Sequence, residues 1–176
     1  MRYSILTVLL FAMLCASAQK RENPVIKPYG GIFDIEDADL KADPELEYKI
    51  VIDLVTGNDE MTELNWSLNN VARMLNLHAV AGADMNKMNV VVAVHGSATY
   101  ALLNDKLYKQ KYGVDNPNTE LLEKLSEAGV RLYVCGQSLI SREVKNNQIN
   151  KHVKVATSML TTVTTHQLNG YAVLKF

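Results

Sequence analysis

The chain has 176 residues, with 18 basic and 19 acidic side chains, a formal net charge of −1 and 48% hydrophobic residues. This composition is that of a globular protein with one sizeable core. The near-balanced charge, without a basic cluster, gives no electrostatic reason to expect nucleic acid as a partner.

Residues 1–18 have the pattern of a secretory signal peptide. Arg2 supplies a positive start, an apolar run too short for a comfortable bilayer span follows, and Ala16–Ala18 is a small-residue cleavage site. We expect cleavage before Gln19, which yields an exported protein, periplasmic or secreted, that is free of the membrane. A buried N-terminal helix is one alternative. A lipid anchor on Cys15 is another, and the large residue before that cysteine argues against it.

Residues 19–45 are predicted to form an irregular arm ahead of the regular domain, residues 46–176. The arm carries three of the four prolines and the pair Gly30-Gly31, and neither a helical nor a strand period persists through it. Apolar side chains distinguish it from a disordered tail. Those expected to anchor it to the domain are Val25, Ile26, Tyr29, Ile32 and Phe33.

Apolar runs along the domain predict strands, the longest of them buried on both faces. In chain order they are Leu46–Val55, Met88–His95, Val130–Val134, Val153–Ala156 and residues 171–176. Helices are predicted between them at Glu60–Val80, from Ser97, at Asn118–Ala128, at Gly136–Lys145 and at Ser158–Asn169. Residues 106–118 are predicted to be a polar connection. The alternation predicts a three-layer α/β/α sandwich with a mostly parallel five-stranded sheet, but not the order of its strands.

The loops after the first three predicted strands are the candidate functional region. Ligands of an open parallel sheet bind outside the carboxyl ends of its strands. These loops are Asp53–Asn58, His95–Ser97 and Cys135–Ser138. If the strands are neighbours, His95 and Cys135 lie at the same edge of the sheet.

Cys135 is the first candidate catalytic residue. It is the only cysteine left after removal of the predicted signal, so it has no internal disulfide partner. It lies at the predicted start of a helix, where unpaired N–H groups and the helix dipole favour the nucleophilic thiolate. Gly136 leaves the sulfur uncrowded, and Arg142 adds positive charge to the same helix. The alternative is a cysteine that serves only as a small buried hydrophobic residue.

His95 is the second candidate catalytic residue. Its possible roles are a general base for Cys135 and a soft-metal ligand together with Cys135, and the alternative is a histidine hydrogen-bonded at the edge of the core. Asp53 likewise has two possible roles. It is either a residue of the site or a carboxylate that only stabilises the loop or caps a helix. The chain has no CxxC, HExxH, GxSxG, P-loop or GxGxxG motif. We expect no organic cofactor.

The segments VVVAVHGSA and LYVCGQSLISREV resemble the DsrE/DsrF family of small sulfur-relay proteins. NPVIKPYGGIFDI and YGVDNPN resemble the exported branch of that family, and YVCGQS is the most specific match. The resemblance implies a three-layer α/β fold and a homotrimer or homohexamer with the cysteine near a subunit boundary. In the related TusD-type carriers that cysteine holds sulfane sulfur as a persulfide. By position Cys135 matches this cysteine, and Arg142 matches a family arginine.

The sequence departs from the relay carriers in three respects. Gly136-Gln137-Ser138 replaces a more apolar stretch, His95 has no counterpart in their mechanism, and the carriers work in the cytoplasm, whereas this chain is expected to be exported. The resemblance therefore supports the fold and the role of the cysteine more directly than it supports a particular sulfur-relay pathway.

The functional prediction is an exported sulfur-handling protein in which Cys135 passes sulfur from a donor to an acceptor, each a protein or a small thiol. The residues expected to contact substrate are Gly96, Gly136, Gln137, Ser138 and Arg142. One alternative is a non-enzymatic oligomeric binding module that holds copper(I) or zinc through Cys135 and His95. Another is an oligomeric scaffold for an unidentified small ligand, in which Cys135 is merely buried.

Overall fold

A central sheet of five parallel strands organises the computed structural model, which describes residues 19–176. The strands are β1 Tyr48–Leu54, β2 Met88–Val94, β3 Arg131–Cys135, β4 Val153–Ala156 and β5 Ala172–Lys175. They lie in the order β4-β3-β2-β1-β5, and every neighbouring pair is parallel. The predicted α/β fold is confirmed. The predicted signal peptide lies outside the described residues.

Helices connect consecutive strands. They are α1 Trp66–Val80, α2 Asp105–Tyr112, α3 Thr119–Glu127, α4 Gly136–Ser141 and α5 Met159–Leu168. Short 3₁₀ segments also occur, at Met85–Lys87, Gly96–Leu102 and Asn146–Gln148. Among residues 19–176, no helix has the length and apolar character needed to cross a bilayer.

The strand order places the helices on the two faces of the sheet. From β1 to β4 the chain advances one strand at a time in the same direction, whereas the connection from β4 to β5 returns across the whole sheet. Because such crossovers are right-handed, α1, α2 and α3 cover one face and α5 crosses the other. The contacts of α5 with β1, β2, β4 and β5 agree with this path.

The main core lies on the face that α1 and α3 cover. Ile50, Ile52 and Leu54 of β1 belong to it, and they alternate with Val51 and Asp53, which point to the opposite face. That opposite face is covered more thinly, because α5 has a single buried residue, Thr162. Cys135 follows core residue Val134 along β3 and therefore belongs to the thinly covered face.

Helix α1 begins later than predicted, at Trp66 rather than at Glu60. Its N-cap is Asn65, whose side chain accepts a hydrogen bond from the N–H of Leu68 at 2.9 Å. Asn58, one of the two predicted caps, instead accepts a hydrogen bond from the Asn65 side chain at 2.7 Å and belongs to the preceding turn. The helical spacing located the helix correctly, but a buried amide network sets its start.

The predicted polar connection at residues 106–118 is wrong, because α2 occupies most of it. The side chain of Asn104 caps α2 by accepting a hydrogen bond from the N–H of Leu107 at 2.9 Å. Tyr108 is the one buried residue of the helix, and its hydroxyl donates to the carbonyl of Met61 at 2.7 Å. A helix anchored by one aromatic side chain leaves almost no apolar period in the sequence.

Helix α4 is shorter than predicted, ending at Ser141 instead of near Lys145. Glu143 adopts a φ of 54°, in the left-handed region, which a right-handed helix cannot continue through. The turn that follows brings the N–H of Val144 back to the carbonyl of Leu139 at 2.9 Å. The site helix is therefore a short one, closed by this turn.

The N-terminal arm contains no helix or named strand and packs along α1. Its side chains Ile26 and Ile32 are fully buried. The buried side chain of Asn76 accepts hydrogen bonds from two arm N–H groups and donates to the carbonyls of Tyr29 and Gly30. A Cβ on Gly30 would lie 2.2 Å from the backbone nitrogen of Arg73, so the arm backbone rests directly on the helix. The arm is thus a fixed part of the fold.

Candidate functional site

The loops that follow β1 and β2 are packed tightly together at the carboxyl edge of the sheet. The N–H of Gly57 donates to the hydroxyl of Ser97 at 2.9 Å. A Cβ on Gly57 would lie 2.8 Å from the carbonyl oxygen of Ser97, and Gly96 has a φ of 57° that favours glycine. Close packing of these loops holds His95, which precedes Gly96, in a fixed position.

The register of the sheet brings His95 and Cys135 together. Val94 of β2 pairs with Val134 of β3. His95 directly follows the last residue of β2 and Cys135 is the last residue of β3, so the two residues are neighbours at the carboxyl edge of the sheet. The prediction placed these residues at one edge on the condition that their strands are neighbours, and β2 and β3 are neighbours.

The sulfur of Cys135 is buried among hydrogen-bond donors, and the residue is 7% exposed. Burial raises the pKa of the thiol, but the N–H groups of Met159, Ser138 and Gln137 and the hydroxyl of Ser138 lower it, leaving the pKa below the ordinary thiol value. Because Met159 starts α5 and Gln137 lies in the first turn of α4, two helix N-termini meet at the sulfur. As the N-cap residue of α4, Cys135 makes no capping hydrogen bond through its side chain.

Ser138 links the cysteine to the loop after β2. Its hydroxyl oxygen accepts a hydrogen bond from the N–H of Gly96 at 3.3 Å. The same hydroxyl is one of the groups that lower the pKa of the Cys135 thiol. The predicted site residues Gly96 and Ser138 therefore act on Cys135 through this hydrogen-bonded bridge.

His95 is bonded to Asp53 and not to Cys135. Nε2 of His95 lies 2.7 Å from Oδ1 of Asp53, and the two side chains are 21% and 16% exposed. The other carboxylate oxygen lies 3.9 Å from the Lys175 ammonium, whose side chain is largely in solvent. The pair links the end of β1 to the residue after β2. It places Asp53, whose role the sequence left undecided, in contact with His95.

An open cleft of about 500 Å³ lies beside Cys135, between α4 and the end of β4. Gly136 and Gln137, both predicted to contact substrate, line it together with Ile140, Val155 and Thr157. A Cβ on Gly136 would lie 2.9 Å from the carbonyl oxygen of Ala156, which pairs with Cys135 in the sheet. Glycine at this position lets α4 start directly against β4, and the cleft is lined by the residue that follows Cys135.

Arg142 lies at the far end of α4, away from the cleft. Its guanidinium stands over the ring of Tyr100, 5.6 Å from the centroid, and donates to the carbonyl of Ser138 at 3.4 Å. The structure thus gives Arg142 a place at the C-terminal end of α4, where it stacks on the 3₁₀ segment after β2.

Comparison with known proteins gives the family. A sequence model of the DsrE/DsrF-like family matches residues 49–176. The chain belongs to the DsrE/DsrF-like family. Comparison with curated proteins gives no match.

Two solved structures share the DsrE-like fold. A protein of unknown function, MTH1491 from Methanobacterium thermoautotrophicum, is 17% identical with a TM-score of 0.56, and the match covers 73% of this chain and 99% of that one. The ychN protein from E. coli is 22% identical with a TM-score of 0.54, and the match again covers 73% and 99%. At these identities the likeness is one of fold.

Sequence reasoning missed one donor of this DsrE-like site and left another residue undecided. The N–H of Met159 comes from α5, which returns over the sheet, and no local pattern connects it with Cys135. Asp53 carries a readable signal, since it is the only charged residue in the apolar run that follows Lys49 in β1. Within residues 19–176 no group of three or more His, Cys, Asp or Glu side chains is placed to hold a metal ion.

Proposed function

We propose that this DsrE-like protein carries sulfane sulfur on Cys135 as a persulfide and passes it to an acceptor thiol. The family is generally linked to sulfur relay. The observation that carries the proposal is the set of donors around the Cys135 sulfur, which lower the thiol pKa although the residue is buried. A cysteine that served only as a buried hydrophobic residue would have its thiol form favoured instead.

Loading requires no external oxidant or reductant. The Cys135 thiolate attacks the outer sulfur of a sulfane donor R–S–SH, the S–S bond of the donor breaks, and R–S⁻ leaves with the electron pair. The product is Cys135–S–SH. Because Cys135 is buried, the donor that fits best is a small species such as a polysulfide, which can enter the cleft beside Gly136.

The setting of this chemistry is part of the proposal. The signal pattern of residues 1–18 supports export to the periplasm or the exterior, with donor and acceptor located there.

The family resemblance supports a homotrimer or homohexamer. Exposed apolar side chains on α4 and α5 are available for such assembly: Ile140, Leu160 and Leu168. Among residues 19–176, no observation favours the metal-binding alternative, since no group of three or more His, Cys, Asp or Glu side chains is placed there to hold a metal ion.

The first experiment is the intact mass of the protein from Gln19 onward after incubation with polysulfide. We expect a gain of about 32 Da, one sulfur, that a reductant reverses. The matched control is Cys135→Ser, which should gain nothing. An unchanged wild-type mass, with Cys135 alkylated only after unfolding, would contradict the proposal and make the cysteine structural.

A further inference from the structure

The Asp53–His95 pair is not explained by the loading step. The Cys135 thiolate is stabilised by N–H groups of α4 and α5 and by Ser138, and no hydrogen bond joins it to His95 within residues 19–176. The groups that lower the pKa of Cys135 therefore do not include His95. Yet a partly buried carboxylate hydrogen-bonds to the His95 ring at 2.7 Å, and His95 follows the strand that neighbours the one ending in Cys135.

The hydrogen bond to Asp53 determines which nitrogen of the His95 ring carries the proton. Nε2–H donates to the carboxylate, which in the neutral ring leaves Nδ1 as the basic nitrogen. Nδ1 makes no hydrogen bond to any other described residue. It is thus free to accept a proton from a ligand at the carboxyl edge of the sheet, where the register of β2 and β3 makes His95 and Cys135 neighbours.

We infer that His95 accepts the proton of the acceptor thiol during unloading and that Asp53 is the positioning residue that presents Nδ1 for it. This inference rests on the proposed function. The acceptor R–SH gives its proton to Nδ1 of His95, and R–S⁻ attacks the outer sulfur of Cys135–S–SH. The S–S bond breaks, R–S–SH forms, and Cys135 leaves as the thiolate that the surrounding donors stabilise. The proton then passes from His95 to solvent.

The dependence of the rate on the acceptor thiol separates a proton-accepting role of His95 from a purely structural one. A strand-to-strand link would stabilise the sheet regardless of what the acceptor is. A proton acceptor matters only when the acceptor thiol still holds its proton, as an aliphatic thiol with a pKa near 8.5 does at neutral pH. An acceptor that is already ionised has no need of His95.

The test measures single-turnover loss of the added sulfur from loaded protein at pH 7 with two acceptors. Glutathione is mostly protonated at this pH, and thionitrobenzoate, an aromatic thiol, is ionised. With glutathione we expect His95→Gln to slow transfer by about 100-fold and Asp53→Asn by about tenfold. With thionitrobenzoate both variants should stay within about twofold of wild type. Each variant is compared with wild type on the same acceptor, so differences in access to the cleft cancel.

Two further variants complete the test. Asp53→Glu keeps the carboxylate and should recover part of the glutathione rate. Lys175→Met removes the exposed ammonium 3.9 Å from Asp53 and should leave both rates unchanged, because exposed ion pairs contribute little. Circular dichroism checks that each variant is folded.

Equal slowing with both acceptors, or no slowing with either, overturns the inference while the persulfide function stands. If wild-type protein takes up no sulfur, the proposed function fails and the inference fails with it. The two failures are therefore distinguishable by the wild-type mass alone.

Discussion

At the residue scale, the groups around one sulfur atom set the pKa of the Cys135 thiol. Burial and hydrogen bonding act on the pKa of its thiol in opposite directions, and the hydrogen-bond donors prevail. Ser138 is the one donor among them that a substitution removes cleanly, since the others are backbone N–H groups. Its hydroxyl is also held from the other side by Gly96 at 3.3 Å, which fixes its orientation.

Replacing Ser138 by alanine is expected to raise the pKa of Cys135, because the thiolate loses a donor. The folded wild-type thiol should ionise at lower pH than a free cysteine, and the pH midpoint of its reaction with a small alkylating reagent should move upward in the variant. At pH 7 the rate should fall by about tenfold, the effect of losing one hydrogen bond to a charged group worth about 1.5 kcal/mol.

The matched control for this prediction is Ser141→Ala. Ser141 belongs to the same helix, but its hydroxyl donates to the carbonyl of Ser138 and does not act on the sulfur. A midpoint that stays in place in Ser138→Ala, or moves equally in Ser141→Ala, would contradict the assigned role of the Ser138 hydroxyl.

At the element scale, one buried amide attaches the N-terminal arm to α1. Asn76 makes four hydrogen bonds to the arm, to the N–H groups of Val25 and Ile26 and to the carbonyls of Tyr29 and Gly30. Together these use the full donor and acceptor capacity of the side-chain amide. These arm backbone groups pack against α1 and away from water, so Asn76 supplies the hydrogen bonds that water would otherwise make.

Substituting Asn76 by alanine is expected to lower the free energy of unfolding by about 3 kcal/mol, because it leaves several buried backbone groups of the arm without partners. Denaturant unfolding measures the loss, and limited proteolysis should cut the arm of the variant earlier than that of wild type. Asn70→Ala on the same helix is the control, since its side chain makes no hydrogen bond among the described residues and should change stability little. An intact arm and unchanged stability in the Asn76 variant would refute this account.

At the scale of the whole molecule, the sheet has one densely and one thinly covered face. The core on the α1 side is continuous, whereas α5 buries a single residue on the other and leaves Leu168 88% exposed. The strands at both edges of the sheet, β4 and β5, also carry exposed apolar residues: Val155, Val173 and Leu174. Such surface is typical of subunit contacts.

This surface favours self-association, and the family resemblance implies a homotrimer or homohexamer, so we expect the protein from Gln19 onward to sediment as one of these. Analytical ultracentrifugation over a range of concentrations measures this directly. Leu168→Glu and Leu160→Glu, which place charge on the exposed side of α5, should shift the distribution toward smaller species if α5 takes part in the contact. A wild-type protein that is monomeric at micromolar concentration would contradict the expected assembly.

The sequence by itself determined the class of fold and the main catalytic candidate. Continuous apolar strands can be buried only between two layers of helices, so their alternation with helices predicted the α/β sandwich before any pairing was known. Cys135 could be selected because its position, after an apolar strand and before a helix, is a local property. Helix α2 was missed because a single buried tyrosine leaves no period to read.

Only the tertiary structure decided what surrounds the cysteine. The strand order β4-β3-β2-β1-β5 depends on contacts between segments far apart in the chain, and it alone places His95 beside Cys135 and Asp53 against His95. The same is true of the N–H of Met159, which reaches the sulfur because α5 crosses back over the sheet. Local patterns fix which residues can do chemistry, whereas long-range pairing fixes which of them meet.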